Sequence, residues 1–410
     1  MMRAFAEKIT GMPPATDRMH TVDARLAFTR SEGVSLDDPR LGLLRAPTLD
    51  AKTRRDPRSY DWHSCRVIDC SAADLTPDLL RHGFAHADLS GRAGLQSALE
   101  RVRVAGRLAV ADITEIRRHL VGRRLSLRDG RALWLLYAAR EGFFMRRAGP
   151  NGMAIHREPD LAGLNDHDAA VSVHADQDID GTPLRQILRG AAPWLFRHDG
   201  PARSNRRSPL CLVNLWIPLE QVTRPLALMD ASSLDRRAHQ LRHGLVTDGI
   251  LQRDASRRIN DIWTFRHHAS QRWYFTSELN ANTAYVFATL GTPHGSIILP
   301  GEDRAEALHR QLTAAVDAVR RRDEPAATRS LCSTDASCTS GEPATAPLRR
   351  GIAAMEALAA EGRANISALC RGEGAADFCA RASAAAERVV RKSLEMRAVA
   401  LLLPSSQRRS

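Results

Sequence analysis

The feature that most constrains this chain is a succession of short apolar segments, each parted from the next by turn residues. LCLVNLWIPL, PLALMD, IWTFRHH, RWYFTS, TAYVFATL and GSIILP follow one another between residues 210 and 300. Each is the length of a strand, and several carry aromatic or β-branched residues. Such a series must bury two rows of alternating side chains, which points to a sandwich or barrel. A further β-like run, SLEMRAVALLL, comes only after some ninety intervening residues. The β-fold is therefore expected to be interrupted and then closed by that run.

The remainder reads differently. Residues 1–64 are rich in Pro, Asp and Arg and read as an arm laid over the rest. After the strand-like RVIDC, four stretches carry helical texture: TPDLLRHGF, AGLQSALERVRVAG, DITEIRRHLVGRR and SLRDGRALWLLYAAREGFF, the last behind a Ser cap. Helical periodicity returns at EDRAEALHRQLTAAVDAVRRR, and Ala-rich helix follows a polar linker over 323–348. The expectation is an α+β chain in four parts. These are the arm (1–64), a helical half joined to the main β core (65–300), a helical insertion (301–388), and the closing strand with a tail (389–410). The insertion reads as a cap over one face of the core, since its helices are amphipathic and carry no chemical motif.

Composition narrows the function. The 410 residues are 43% hydrophobic, enough for a sizeable core. A net charge of +12 raises the question of nucleic acid, but all basic residues except Lys8, Lys52 and Lys392 are Arg scattered along the chain. No basic run interleaves with aromatics, so nucleic-acid binding is not expected. No apolar segment is long enough for a bilayer, and the first residues lack a signal-like core, so a cytoplasmic location without membrane contact is expected. The oligomeric state is left open. The seven cysteines contain no C-x-x-C pair and read as plain thiols, with a local disulfide or metal site open among Cys332, Cys338, Cys370 and Cys379.

Within VSVHADQDIDG, His174 and Asp176 stand two residues apart. On an extended segment that spacing points both side chains to one face. With 15 His and 47 acidic residues, chance alone yields about two His-x-acid triplets, and three occur, at His86, His156 and His174. Context must therefore decide. His294, in TPHG just before SIILP, can supply a third ligand from a distant strand, completing the two-His, one-carboxylate set of a non-haem Fe(II) site. Downstream, Arg391 and Ser393 are again two apart at the start of the closing strand and offer a cation and a hydroxyl to a carboxylate. Asn214 and Trp216 alternate on a strand and either face the cavity or belong to the core. Arg185 is an outside candidate for contact with substrate or co-substrate, His267, His268 and Trp273 are outside candidates for a pocket mouth, and His86 reads as a surface turn.

These stretches resemble the AsaB/CmcJ-type hydroxylase/desaturase group of iron and 2-oxoglutarate dioxygenase-like proteins. RHGF (81–84), VHADQ (173–177), VNLWIPL (213–219), PLALMD (225–230), TPHG (292–295) and RKSLEMRAVAL (391–401) carry the likeness. The resemblance implies a jelly-roll, cupin-like double-stranded β-helix with iron on His174, Asp176 and His294. It implies 2-oxoglutarate on Arg391 and Ser393, with Arg397 a further candidate on the same face and O2 as the second co-substrate. The reaction implied is hydroxylation or desaturation of a small molecule, a secondary metabolite, with halogenation disfavoured because Asp176 keeps its carboxylate. A catalytically silent relative serving as a binding protein is the alternative. Because nearly a hundred residues separate His294 from Arg391, Arg304 remains the other candidate for the co-substrate.

Overall fold

The computed structural model describes residues 21–73, 75–155, 170–180, 185, 188–200, 203–246, 259–332 and 341–404. Two sheets face each other, with helices outside both. Strands are numbered in chain order. The larger sheet runs β1 (Thr21–Phe28), β4 (Asp61–Asp69), β16 (Trp273–Phe275), β13 (Leu226–Met229), β18 (His294–Ser296), β9 (His174–Ala175), β15 (Ile259–Phe265), β14 (Gln240–Val246), β3 (Leu43–Arg45) and β2 (Ser35–Asp38). The smaller runs β5 (Phe84–Asp88), β17 (Thr283–Ala288), β12 (Leu210–Glu220), β19 (Arg391–Leu403), β7 (Ala132–Tyr137) and β6 (Arg124–Ser126), with β8 (Phe143–Ala148) also paired to β19. A two-residue ribbon, β10 (His198–Asp199) and β11 (Ser204–Asn205), stands apart. Pairing is antiparallel except between β16 and β4 and between β14 and β3.

Alternation on β12 and β19 sets the layers. Val213, Leu215 and Ile217, with Leu394, Met396 and Ala398, turn outward into a core shared with α1 (Ala93–Ala105) and α2 (Val110–Leu120), which contribute Leu95, Leu99, Ile113 and Ile116. The other face presents Asn214, Trp216, Ser393, Glu395 and Arg397 toward the larger sheet. There Trp216, Phe84, Tyr285 and Phe287 meet Ile68, Leu226, Leu228 and Tyr274. The outer face of the larger sheet carries Leu26, Phe28, Val67, Phe265 and Trp273. It packs against a block of five helices: α3 (Glu302–Arg320), α4 (Glu324–Leu331), α5 (Ala346–Ala364), α6 (Ile366–Arg371) and α7 (Ala375–Arg388). The result is a mixed, jelly-roll-like assembly in which buried Asp176 and Arg391 lie in the space between the sheets.

The structure departs from the sequence reading in several places, one being α4 (Glu324–Leu331), a helix inside the stretch read as a polar linker over 323–348. The arm is not merely laid over the rest: β1 pairs along its whole length with β4, while β2 and β3 form the opposite edge of the same sheet. TPDLLRHGF is a turn followed by the start of β5, not a helix. SLRDGRALWLLYAAREGFF is strand rather than helix. Leu125, Leu133 and Leu135 are buried, while Trp134 and Leu136 are exposed, which is the period of two. Asp129-Gly130, with Gly130 at φ +83°, turns β6 into β7, a hairpin signal that outweighs the Ser cap.

Candidate metal and co-substrate site

Three strands bring the candidate ligands together. His174 on β9 lies directly opposite His294 on β18, and on its other side opposite Thr264 on β15. The two imidazole centroids are 4.4 Å apart. Asp176, two residues on, returns to the same face. His174 Nε2 stands 3.7 Å from Asp176 Oδ1, and His294 Nε2 stands 3.8 Å from Asp176 Oδ2. One ligand atom from each of the three lies within 4.8 Å of the others.

Local hydrogen bonds aim these atoms. His174 Nδ1 donates to Ser172 O at 2.9 Å, and His294 Nδ1 donates to Thr292 O at 3.0 Å. With Nδ1–H tied to a carbonyl, each ring turns the lone pair on Nε2 toward Asp176, the arrangement a metal-binding imidazole requires. Burial, and then the neighbouring His174, push the His294 pKa down to about 4, so the ring is neutral near pH 7. Burial works to raise Asp176, but the guanidinium of Arg397 holds it well below the ordinary carboxylate range. A carboxylate and two imidazoles on one side of a buried space suit a divalent ion with N and O preferences.

The smaller sheet supports this set from across the gap. Arg397 Nη2 donates to Asp176 Oδ1 at 2.9 Å, and Asn214 Nδ2 donates to Asp176 Oδ2. Thr289 Oγ1 donates to Asn214 Oδ1 at 2.7 Å and fixes the amide's orientation. Asn214 and Arg397 are register partners on β12 and β19. Both therefore touch the presumptive ligand Asp176, whereas the resemblance implied that Arg397 serves the co-substrate.

Arg391 and Ser393 lie further along the same face of β19. Arg391 is 1% exposed, and its Nη1 donates to Ser296 Oγ at 2.7 Å and to Arg224 O at 3.0 Å. Ser296 is two residues after His294, so one strand joins the imidazole cluster to the guanidinium. Arg391 Nε and Ser393 Oγ are buried without a hydrogen-bond partner among the described residues. Buried orphans of this kind are costly and mark a place shaped for a missing acceptor. Arg304 is elsewhere: it sits on α3, 41% exposed, paired with Glu356 of α5.

The remaining sequence candidates disperse. Trp216 is core, under the Arg391 guanidinium at 6.0 Å. Arg185 is exposed near Asp180. Trp273 belongs to the core beneath the helices, and His267 stacks on His63 at 3.9 Å in a separate cleft of about 390 Å³ with Phe28 and His239. His86 is not a surface turn: it is 2% exposed on β5, bonded to Thr276 Oγ1 at 3.0 Å and stacked on Tyr285. His156 and Cys338 lie outside the described residues, while Cys332, Cys370 and Cys379 are free thiols. Sequence reasoning missed Ser296 and Arg224, and also Glu395, whose Oε1 accepts from Arg146 Nε at 2.6 Å. The polar alternation Arg391, Ser393, Glu395, Arg397 could have flagged Glu395. Nothing local to Arg224 announces it.

Comparison with known proteins gives limited likeness. The profile of a family described as an oxidoreductase/YMDC permease-like domain matches residues 146–296, which include all three candidate ligands but less than half of the chain. A solved structure of a variant of the "iron and alpha-ketoglutarate-dependent endoperoxidase NvfI" is similar at TM-score 0.43 and 11% identity, over 93% of this chain and 97% of that one. A second NvfI structure gives 0.41 and 14%, over 68% and 91%. Similarity at that level decides neither fold family nor chemistry. No curated protein matches.

Proposed function

We propose that this chain is an Fe(II)/2-oxoglutarate-dependent oxygenase that hydroxylates or desaturates a small molecule, on a core of the double-stranded β-helix type. The observation that carries the reading is one buried space with two complementary walls. His174, Asp176 and His294 converge on one side, and the unpartnered Arg391 Nε and Ser393 Oγ stand on the other. The likeness of its motifs to the AsaB/CmcJ-type group agrees with it.

When bound, iron with 2-oxoglutarate and O2 supplies the oxidising power to break an unactivated C–H bond, with CO2 and succinate as by-products. The protein's part is positional. His174 and His294 offer their Nε2 atoms, Asp176 offers a charge already ionised, and Asn214 and Arg397 keep that carboxylate from rotating. Arg391 and Ser393 hold the far carboxylate of the 2-oxo acid, and Trp216 beneath the guanidinium keeps water from it.

A second reading has one observation in its favour: Arg397 already neutralises Asp176, so the cluster is stable without an ion, as a silent binding protein would need. Anaerobic titration with Fe(II) and then 2-oxoglutarate separates the two. The oxygenase reading expects the visible charge-transfer band of the iron chelate, lost in both His174→Ala and His294→Ala. Folded protein that retains no iron and shows no band would establish the silent reading instead.

A further inference from the structure

Arg224 occupies the loop between β12 and β13, and the sequence gives it no motif. It is 3% exposed and holds φ +50°, a left-handed conformation that L residues rarely adopt. Its main chain is fully used: the N–H donates to Glu302 Oε1 at 2.7 Å, and the carbonyl accepts from Arg391 Nη1 at 3.0 Å. Its side chain is not, since Nε and Nη1 are buried without a partner among the described residues. Glu302, 0% exposed, does not hydrogen-bond to that guanidinium. Its oxygens take the backbone N–H groups of Arg224, Leu299 and Asn151 instead.

Two buried arginines are thus joined through the Arg224 carbonyl, the charge of Arg224 acts on Arg391, and each keeps an unused N–H among the described residues. Among the described residues, Glu395 is held by Arg146, Asp176 by Arg397, and the oxygens of Glu302 are spent on backbone N–H groups, so the buried Nε of each arginine has no carboxylate partner. A carboxylate has two oxygens and about four acceptor positions, so it can serve both forks at once.

We infer that Arg224 and Arg391 together grip the far carboxylate of the 2-oxo acid, making Arg224 the residue that selects a dicarboxylic over a monocarboxylic co-substrate. This rests on the proposed function, which by itself requires only Arg391 and Ser393. It also accounts for the strained backbone at Arg224: the left-handed turn presents its carbonyl to Arg391.

The test is anaerobic titration of the Fe(II)-loaded protein with 2-oxoglutarate, with its far-end amide 2-oxoglutaramate, and with pyruvate. The unaltered protein is expected to prefer 2-oxoglutarate to the amide by about tenfold or more. Arg224→Gly, which suits the positive φ, is expected to weaken 2-oxoglutarate by about tenfold while leaving pyruvate unchanged, and Arg224→Lys to fall between. Equal loss for 2-oxoglutarate and pyruvate, an unaffected 2-oxoglutarate affinity in Arg224→Gly, or no preference over the amide in the unaltered protein would each overturn the inference. An unaltered protein that binds no 2-oxo acid at all would overturn the proposed function together with it. One that binds 2-oxoglutarate but ignores the change at Arg224 overturns the inference alone.

Discussion

Asp176 is held from both sheets, by Arg397 and Asn214 from the smaller one and beside His174 and His294 on the larger. That cross-gap grip explains why a two-residue motif at chance frequency becomes a site: what raises it is the opposite wall. The same logic ranks the arginines. Arg391→Ala is expected to weaken 2-oxoglutarate binding by about tenfold or more, whereas Arg304→Ala, which removes only a partly exposed pair with Glu356, leaves it unchanged. Isothermal titration of both variants checks the ranking, and the reverse order would move the co-substrate into the helical block. A buried histidine outside the cluster sets a pH dependence. His86 is pushed down to about 4, first by burial and then by Arg128. The unfolded chain takes up that proton near the ordinary value of 6.5 and the folded one only near 4. Stability from neutral His86 is therefore full above 6.5 and is lost as pH falls through that window, by roughly 2 kcal/mol at pH 5. Urea unfolding at pH 7 and pH 5 should show a smaller drop in His86→Gln than in the unaltered protein; equal drops would refute the assignment.

At the scale of elements, the β runs were legible because alternation survives in them. LCLVNLWIPL and RKSLEMRAVAL each place apolar residues on one face and Asn214, Trp216, Ser393 or Arg397 on the other. The β6–β7 hairpin was not legible, because ALWLLY is apolar on both faces and only Asp129-Gly130 betrays the turn. Ser296 and Arg224 were hidden for a different reason: each acts through a partner remote in sequence, and no local pattern encodes a cross-strand neighbour. The helical block follows its sequence signal except at α4 (Glu324–Leu331), which was read as linker, and it packs closely. At Gly362 on α5, an added Cβ would lie 2.9 Å from Phe378 Cζ and 3.0 Å from Leu331 Cδ1. Gly362→Ala is therefore expected to cost about 1–3 kcal/mol by overpacking. Its Fe(II) affinity should be unchanged, since the block touches the far face of the larger sheet. Calorimetric unfolding and a metal titration on the same sample test both halves of that statement.

For the molecule as a whole, charge is dispersed rather than gathered. Many arginines are spent on local ion pairs, such as Arg45 with Asp37 and Asp261, Arg242 with Asp37 and Asp178, and Arg381 with Glu361 and Asp377. The +12 net charge is then expected to give only weak retention on heparin that vanishes at physiological salt; tight retention there would show a basic face after all. No helix among the described residues is long and apolar enough to cross a membrane. The placement of β19 has a consequence in time. A ribosome delivers His174, Asp176 and His294 well before it delivers Arg391, Ser393 and Arg397, with the whole helical block made in between. The imidazole wall can be present in a nascent chain whose opposite wall has not yet been synthesised. Until β19 is made, the carboxylate of Asp176 has no Arg397 to neutralise it, so the two walls can meet only when synthesis is nearly complete.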